Sequence, residues 1–297
     1  MTLYLDNEFN CAIEVIKNVI ILIKQRRFYM KGKIIKLICL MLATVFLSSM
    51  CGTKKTDDKS LEQIKAKGFF IVGLDDQFPP MGFRGQDSNE IVGFDIDLAK
   101  EVAKKLGVKA EFKPVAWDGI ISSLNKGDVD VIWNGMTITE ERKKNIGLSK
   151  AYLNNRQIVM VPADSAITTI DQLKGKKVGL QLGSSSETAL NSKPDIAKNL
   201  QEIKKYENNT LALMDLASKR IDAVVVDEIV GRWSIAKKPG IYKVLSEDMG
   251  TELYGVGFRK GDLTFKDALD KALDEVKNEA AGADVSKKWF GEDILVK

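Results

Sequence analysis

The chain has 297 residues, with 45 Lys and Arg against 41 Asp and Glu, three cysteines and no histidine. Without histidine there can be no Ser-His-Asp or Cys-His catalytic group and no His-ligated metal centre, while carboxylate-only chemistry stays open. The first 50 residues hold seven of the basic and three of the acidic residues, leaving 38 of each in the other 247; the apparent basic character therefore belongs to the N-terminal segment and gives no support for a nucleic-acid partner.

In chain order, Lys31, Lys33 and Lys36 precede an apolar run from Leu37 to Leu47, followed by Ser48, Ser49, Met50, Cys51 and Gly52. A basic region, a short apolar core and a zone of small residues make a secretory signal, too short to span a bilayer permanently. Met30 stands where such a signal begins, so residues 1–29 read as an upstream extension and 1–50 as extension plus signal. The alternative is a pair of membrane segments at Ile13–Ile23 and Leu37–Leu47, but Lys24, Arg26 and Arg27 interrupt the stretch. The run Leu47 to Cys51 resembles the lipobox of bacterial lipoproteins, which implies lipidation of Cys51; Met50 departs from the small residue usual before that cysteine. Residues 51–60 then read as a polar tether. Cys11, Cys39 and Cys51 are the three cysteines, so no disulfide is expected beyond residue 51, and 247 residues can bury a core without one.

Phe69 to Gly73 is an apolar strand run. The segment Asp95–Gly107 places Ile96, Ala99, Val102, Ala103 and Leu106 on one helical face, with Gly107 as a stop. Glu111–Phe112 reads as strand, Trp117–Leu124 as helix and Val129–Trp133 as strand. Lys176–Leu180 and Asp222–Val226 are further buried-strand candidates. Leu211–Ala217, Ile229–Ile235 and Phe265–Val276 are helical. This alternation predicts an α/β fold with mainly parallel strands, and the length beyond the signal fits two lobes.

The runs Gly73–Met81 and Val92–Ala99 resemble the opening signatures of the family 3 extracellular solute-binding proteins. Trp117–Ile121, Asn134–Arg142 and Asp222–Asp227 follow in the family's order and spacing, so the likeness runs from about Leu61 to the C-terminus. It implies a two-lobed, type II periplasmic-binding-protein fold with two parallel-rich sheets joined by a two-strand hinge. Lobe 1 would comprise 61–151 and 256–297, lobe 2 157–250, and the hinge strands 152–156 and 251–255. It further implies a free amino acid bound between the lobes and delivered to the permease subunits of an ATP-driven importer. The chain would be a monomer without cofactor or metal, held by its lipid on the extracellular or periplasmic face of the cell membrane.

A free amino acid presents a carboxylate and an ammonium, and each needs a partner once desolvated. By the resemblance Arg142 binds the carboxylate, as its guanidinium fork suits, with Thr137 adding a hydroxyl. Read alone, Arg142 could simply belong to a charged helix start at Thr139–Glu141. Ser184 and Glu187 have capping-box spacing, and the resemblance adds the ligand carboxylate at the amides of Ser184 and Ser185. Asp227 would meet the ammonium, or could cap the next helix. Asp75, Phe78 and Trp117 would line the side-chain pocket, with Asn134 and Gly135 at its edge. A carboxylate between aromatic faces suits a basic or amide side chain and repels an acidic one, although the aromatics could equally be core. Gln181 sits where some relatives place a charged residue. Two other readings compete: a cyclohexadienyl-dehydratase-like lyase, which needs a catalytic acid in the cleft, and a sensory module, which needs signalling segments that the chain lacks before Lys297.

Overall fold

The computed structural model describes Lys17, residues 58–85 and residues 88–297. The expected signal, Cys51 and residues 51–57 of the expected tether lie outside the described residues. The end of that tether is part of the fold. Asp58 accepts the Thr264 amide at 2.5 Å, and buried Ser60 opens α1 (Ser60–Lys67) with its hydroxyl accepting the Phe265 amide at 3.1 Å.

β1 (Phe69–Leu74) leads into a small antiparallel sheet of β2 (Gln77–Phe78), β3 (Gly82–Arg84) and β4 (Ile91–Val92). α2 (Phe94–Leu106) buries the expected face, Ile96, Ala99, Val102 and Ala103, and ends on Gly107 at φ 72°. The turn from β4 into α2 requires Gly93: at φ 148°, a Cβ there would lie 2.2 Å from the Met81 carbonyl oxygen. β5 (Lys109–Pro114), a 3-10 turn at Trp117–Gly119, α3 (Ile120–Lys126), β6 (Val131–Thr137), α4 (Glu140–Asn145) and β7 (Gly147–Leu148) follow. Next come β8 (Leu153–Pro162), β9 (Lys177–Gln181), α5 (Ser185–Asn191), α6 (Pro194–Ala197), β10 (Glu202–Tyr206), α7 (Asn209–Ala217), β11 (Ala223–Asp227) and α8 (Glu228–Lys237). β12 (Tyr242–Phe258), α9 (Leu263–Asn278) and α10 (Ala280–Phe290) complete the chain.

The main sheet runs in the order β10-β9-β11-β8-β12-β6-β1-β5. β5, β1 and β6 are parallel on one side, and β11, β9 and β10 are parallel on the other. Between them β8 and β12 run antiparallel to each other and to their outer neighbours. The two expected parallel sheets thus take the form of two parallel groups joined into one hydrogen-bonded sheet by the two crossing strands. Leu153 faces Tyr254, Asn155 faces Glu252 and Arg156 faces Thr251 along that crossing.

Phe70, Trp133, Tyr152, Tyr254, Phe258 and Phe265 are fully buried in the largest apolar cluster. A second cluster, including Val178, Leu180, Leu190 and Val225, backs β9 and β11; a third, including Trp117, Leu124, Ile132 and Met136, backs β6. Side chains of this size each contribute about 1.5–3 kcal/mol on burial. β10 escaped the sequence reading because it lies at the sheet edge, where Lys204 and Lys205 blur the apolar pattern. Among the described residues, no helix is long and apolar enough to cross a membrane.

Candidate functional site

The parallel strands of both groups end toward the crossing of β8 and β12, where open α/β sheets present their ligand sites. The C-terminus of β6 brings Asn134, Gly135 and Thr137, and α4 brings Arg142. Thr139 caps α4 by accepting the Arg142 amide at 3.1 Å, so the charged helix start is real. Its charges divide, however: Glu140 and Glu141 are exposed, whereas Arg142 is 8% exposed. Its guanidinium donates to the carbonyl oxygens of Thr137 (2.9 Å) and Gly183 (3.4 Å) and lies 5.5 Å from the Trp117 ring. Burial makes the Arg142 cation harder to hold than usual, while the negative charges of Glu252 and Asp227 offset that.

From the other group, β9 and α5 deliver Ser184 and Ser185. The expected capping box is absent. The Ser184 hydroxyl donates to the Gln181 carbonyl at 2.7 Å instead of capping α5, and Glu187 pairs with Lys205. The Ser185 hydroxyl lies 2.9 Å from that of Thr137, bringing residues 48 positions apart in sequence into contact.

Asp227 ends β11 and is 3% exposed. It stands at the start of α8 but its side chain does not cap that helix. Its Oδ1 accepts from Asn155 Nδ2 (2.8 Å), Gln157 Nε2 (2.9 Å) and the Tyr254 hydroxyl (2.6 Å). Burial pushes the Asp227 carboxyl up to about 8, with the neighbouring Glu252 charge adding to the effect.

Glu252 was not among the expected site residues. Half-buried on β12, it directs Oε1 to Thr137 Oγ1 (2.9 Å), Asn155 Nδ2 (2.6 Å), Gln157 Nε2 (2.9 Å) and, more distantly, Ser185 Oγ (3.4 Å). Asn155 and Gln157 were missed as well. Their i, i+2 spacing on β8 puts both on one face, and Asn155 faces Glu252 across the strands, so alternation was the available signal.

Asp75, Phe78, Trp117, Asn134 and Gly135 gather beyond Arg142. Asp75 is 7% exposed, accepts from Gln77 N (2.9 Å) and Gln181 Nε2 (2.7 Å), and burial raises its carboxyl above the ordinary range. The Gln181 contact ties the end of β9 to the end of β1. Asn134 is buried rather than at an edge: its Oδ1 accepts the Asp75 amide at 3.0 Å, while its Nδ2 has no partner. Gly135 adopts φ 56°, and a Cβ there would lie 2.9 Å from the Phe78 ring and 3.0 Å from the Tyr254 ring. Its amide donates to buried Asp95 at 2.6 Å, which holds this turn of backbone in place.

The ten expected ligand residues therefore converge, with a guanidinium at Arg142, an acid at Asp227 and, at the aromatic end, Asp75 with the charges of Asp76 and Glu207 acting on it. Among the described residues no cluster of metal-ligating side chains occurs.

Residues 70–292 match the family model of bacterial extracellular solute-binding proteins, family 3. The chain is 33% identical over 257 residues to the L-cystine-binding protein TcyJ of Escherichia coli (strain K12), covering 85% of this chain and 94% of that protein. Among solved structures, it is similar to a substrate-binding protein of an ABC uptake transporter from Streptococcus pneumoniae with bound histidine. That match has a TM-score of 0.78 and 33% identity, and covers 82% of this chain and 100% of the other. An ancestral arginine-binding protein bound to glutamine matches with a TM-score of 0.70 and 43% identity, covering 76% of this chain and 99% of the other. The chain belongs to the family 3 extracellular solute-binding proteins.

Proposed function

We propose that this family 3 solute-binding protein is the receptor of an ABC importer and takes a polar amino acid with a basic or amide side chain. The observation that carries the reading is the pair Arg142 and Asp227. Both are buried, one a guanidinium and the other an acid, and the Thr137 and Ser185 hydroxyls meet beside them. An amino acid's carboxylate finds the guanidinium and its ammonium finds the carboxylate, each replacing water lost on burial. Asp75 beside Phe78 and Trp117 favours a positive or amide group at the far end of the ligand and repels an acidic one. The amino acids bound by the similar proteins, cystine, histidine and glutamine, all fall outside the acidic class.

The chain captures its ligand and does not transform it, because the charged groups fit the invariant ends of an amino acid. Ligand capture proceeds by hinge bending of lobe 1 (61–151, 256–297) against lobe 2 (157–250) about strands 152–156 and 251–255. Cleavage before Cys51 and lipidation there anchor the protein to the outer face of the cell membrane as a monomer.

Thermal-shift screening of residues 52–297 against the common amino acids tests the reading. A ligand at about 100 times its dissociation constant adds about 2.7 kcal/mol of stability. Arginine, lysine, ornithine, histidine, glutamine or cystine should give the largest shift, and the ligand should be recovered chemically unchanged. A screen without any shift, or one led by glutamate or aspartate, would sink the proposal. Mass spectrometry of the membrane fraction checks the anchor, which requires a lipidated N-terminus at Cys51.

A further inference from the structure

Two carboxylates meet at the crossing of β8 and β12 without a cation between them. Asn155 Nδ2 donates to Asp227 Oδ1 (2.8 Å) and to Glu252 Oε1 (2.6 Å); Gln157 Nε2 donates to the same two oxygens, both at 2.9 Å. Two acid oxygens bridged twice by the same amide nitrogens lie close to one another in a place where Asp227 is 3% exposed. Among the described residues, no Lys or Arg comes within ion-pair distance of either acid. The Glu252 and Asp227 charges act through space on Arg142 of α4, but its guanidinium donates to the carbonyls of Thr137 and Gly183.

The other surroundings do not neutralise the pair. β8 presents the neutral amides of Asn155 and Gln157, β6 presents the Thr137 hydroxyl, and α5 presents that of Ser185. β12 presents Tyr254, whose hydroxyl donates to Asp227 at 2.6 Å and whose own ionisation is pushed well above its usual range by burial. Glu228, next to Asp227 on α8, turns to Arg156 and Arg232. A carboxyl as buried as Asp227 resists ionising beside a second acid, so a proton is the available counter-charge.

We propose that Asp227, held against Glu252 in a paired-acid seat, keeps a proton in the unliganded protein and releases it to solvent when a ligand ammonium takes its place. The ammonium keeps its own protons and supplies the positive charge, so the pair passes from one bound proton to none. The inference rests on the amino-acid reading of the site and adds a proton linkage to it. Burial and the Glu252 charge, which push Asp227 up to about 8, place the exchange near neutral pH.

Calorimetric titration with L-arginine and L-glutamine, in buffers of low and high ionisation enthalpy at pH 7, counts the protons directly. Close to one proton should be released per ligand bound. Below pH 7.5 affinity should rise about tenfold per pH unit, the slope of a one-proton linkage. In Glu252→Gln, which retains a similar shape, proton release and that slope should both fall, leaving only what burial alone sustains at Asp227. The same measurement on the wild-type protein decides the matter if the variant fails to fold. Binding without proton release in the wild type overturns the paired-acid seat and leaves the receptor reading standing. Unchanged release in Glu252→Gln also overturns it. Failure of every amino acid to bind overturns both.

Discussion

The two ends of the site handle charge differently. At the head end, Arg142, Asp227 and Glu252 bring both signs together, and neutral donors from β6, β8 and α5 surround the acids. At the far end Asp75 stands among aromatic and amide side chains, accepting from the Gln77 amide and Gln181, with the Asp76 and Glu207 charges acting on it. A polar amino acid is uniform at its head and variable at its side chain. The densely bonded end thus suits the invariant part, and the sparsely bonded end can discriminate. The unpartnered Asn134 Nδ2 lies at this second end, buried beside Gly82, where an added Cβ would lie 2.7 Å from it.

Removing a head-end charge should have the largest effect. Arg142→Ala leaves the ligand carboxylate buried without its partner, a loss of about 3–5 kcal/mol. At about 1.4 kcal/mol per tenfold, affinity should fall at least roughly a hundredfold. Calorimetry on variants shown folded by circular dichroism measures this, and binding within about threefold of wild type would remove Arg142 from the site.

Asp75→Asn should sharpen the contrast by acting on one class of ligand. Arginine and lysine should lose about tenfold or more in affinity, while glutamine changes by less, so the ratio between them is the readout. Equal losses for both would show that the far end does not discriminate by charge.

A smaller effect should appear in stability. An acid harder to ionise in the folded chain than in the unfolded one stabilises the fold while protonated, and that stability is lost as pH rises through the folded-state value. Asp227 is pushed up to about 8, and burial pushes Asp95 up to about 7, from an ordinary value of 3.8. With no histidine titrating in the same range, the urea midpoint of the unliganded protein should fall between pH 5 and pH 8. In Asp227→Asn the fall should be shallower. A midpoint that rises over this range in both proteins would contradict these assignments.

The smallest effect belongs outside both ends. Arg220 is exposed and pairs with Asp215 at 2.5 Å, beyond the end of α7. Arg220→Ala should leave amino-acid affinity within about twofold, since solvated pairs contribute little. A large loss there would mean that surface charge sets affinity, and the Arg142 result would lose its meaning.

The local elements were readable from residue order, because periodicity and backbone chemistry act over a few residues. The apolar face of α2 and its Gly107 stop, the strand at Phe69, and the helices ending near Ala217 and Val276 were all legible in that way. Motif resemblance went further and picked out Arg142, Asp227, Ser184 and Ser185 as candidates. Pairing over distance came from the folded chain alone. Nothing local indicates that Gln181 reaches Asp75, 106 residues away, or that Asn134 is buried with an unpartnered nitrogen. Asn155, Gln157 and Glu252 read as ordinary polar positions on two separate strands. They become part of the site because β8 and β12 pair in a register that sets Asn155 opposite Glu252 beside Asp227, 72 residues from Asn155 in the chain. Register is fixed by the whole sheet and its burial, so the environment that makes these acids unusual exists only after the chain has folded.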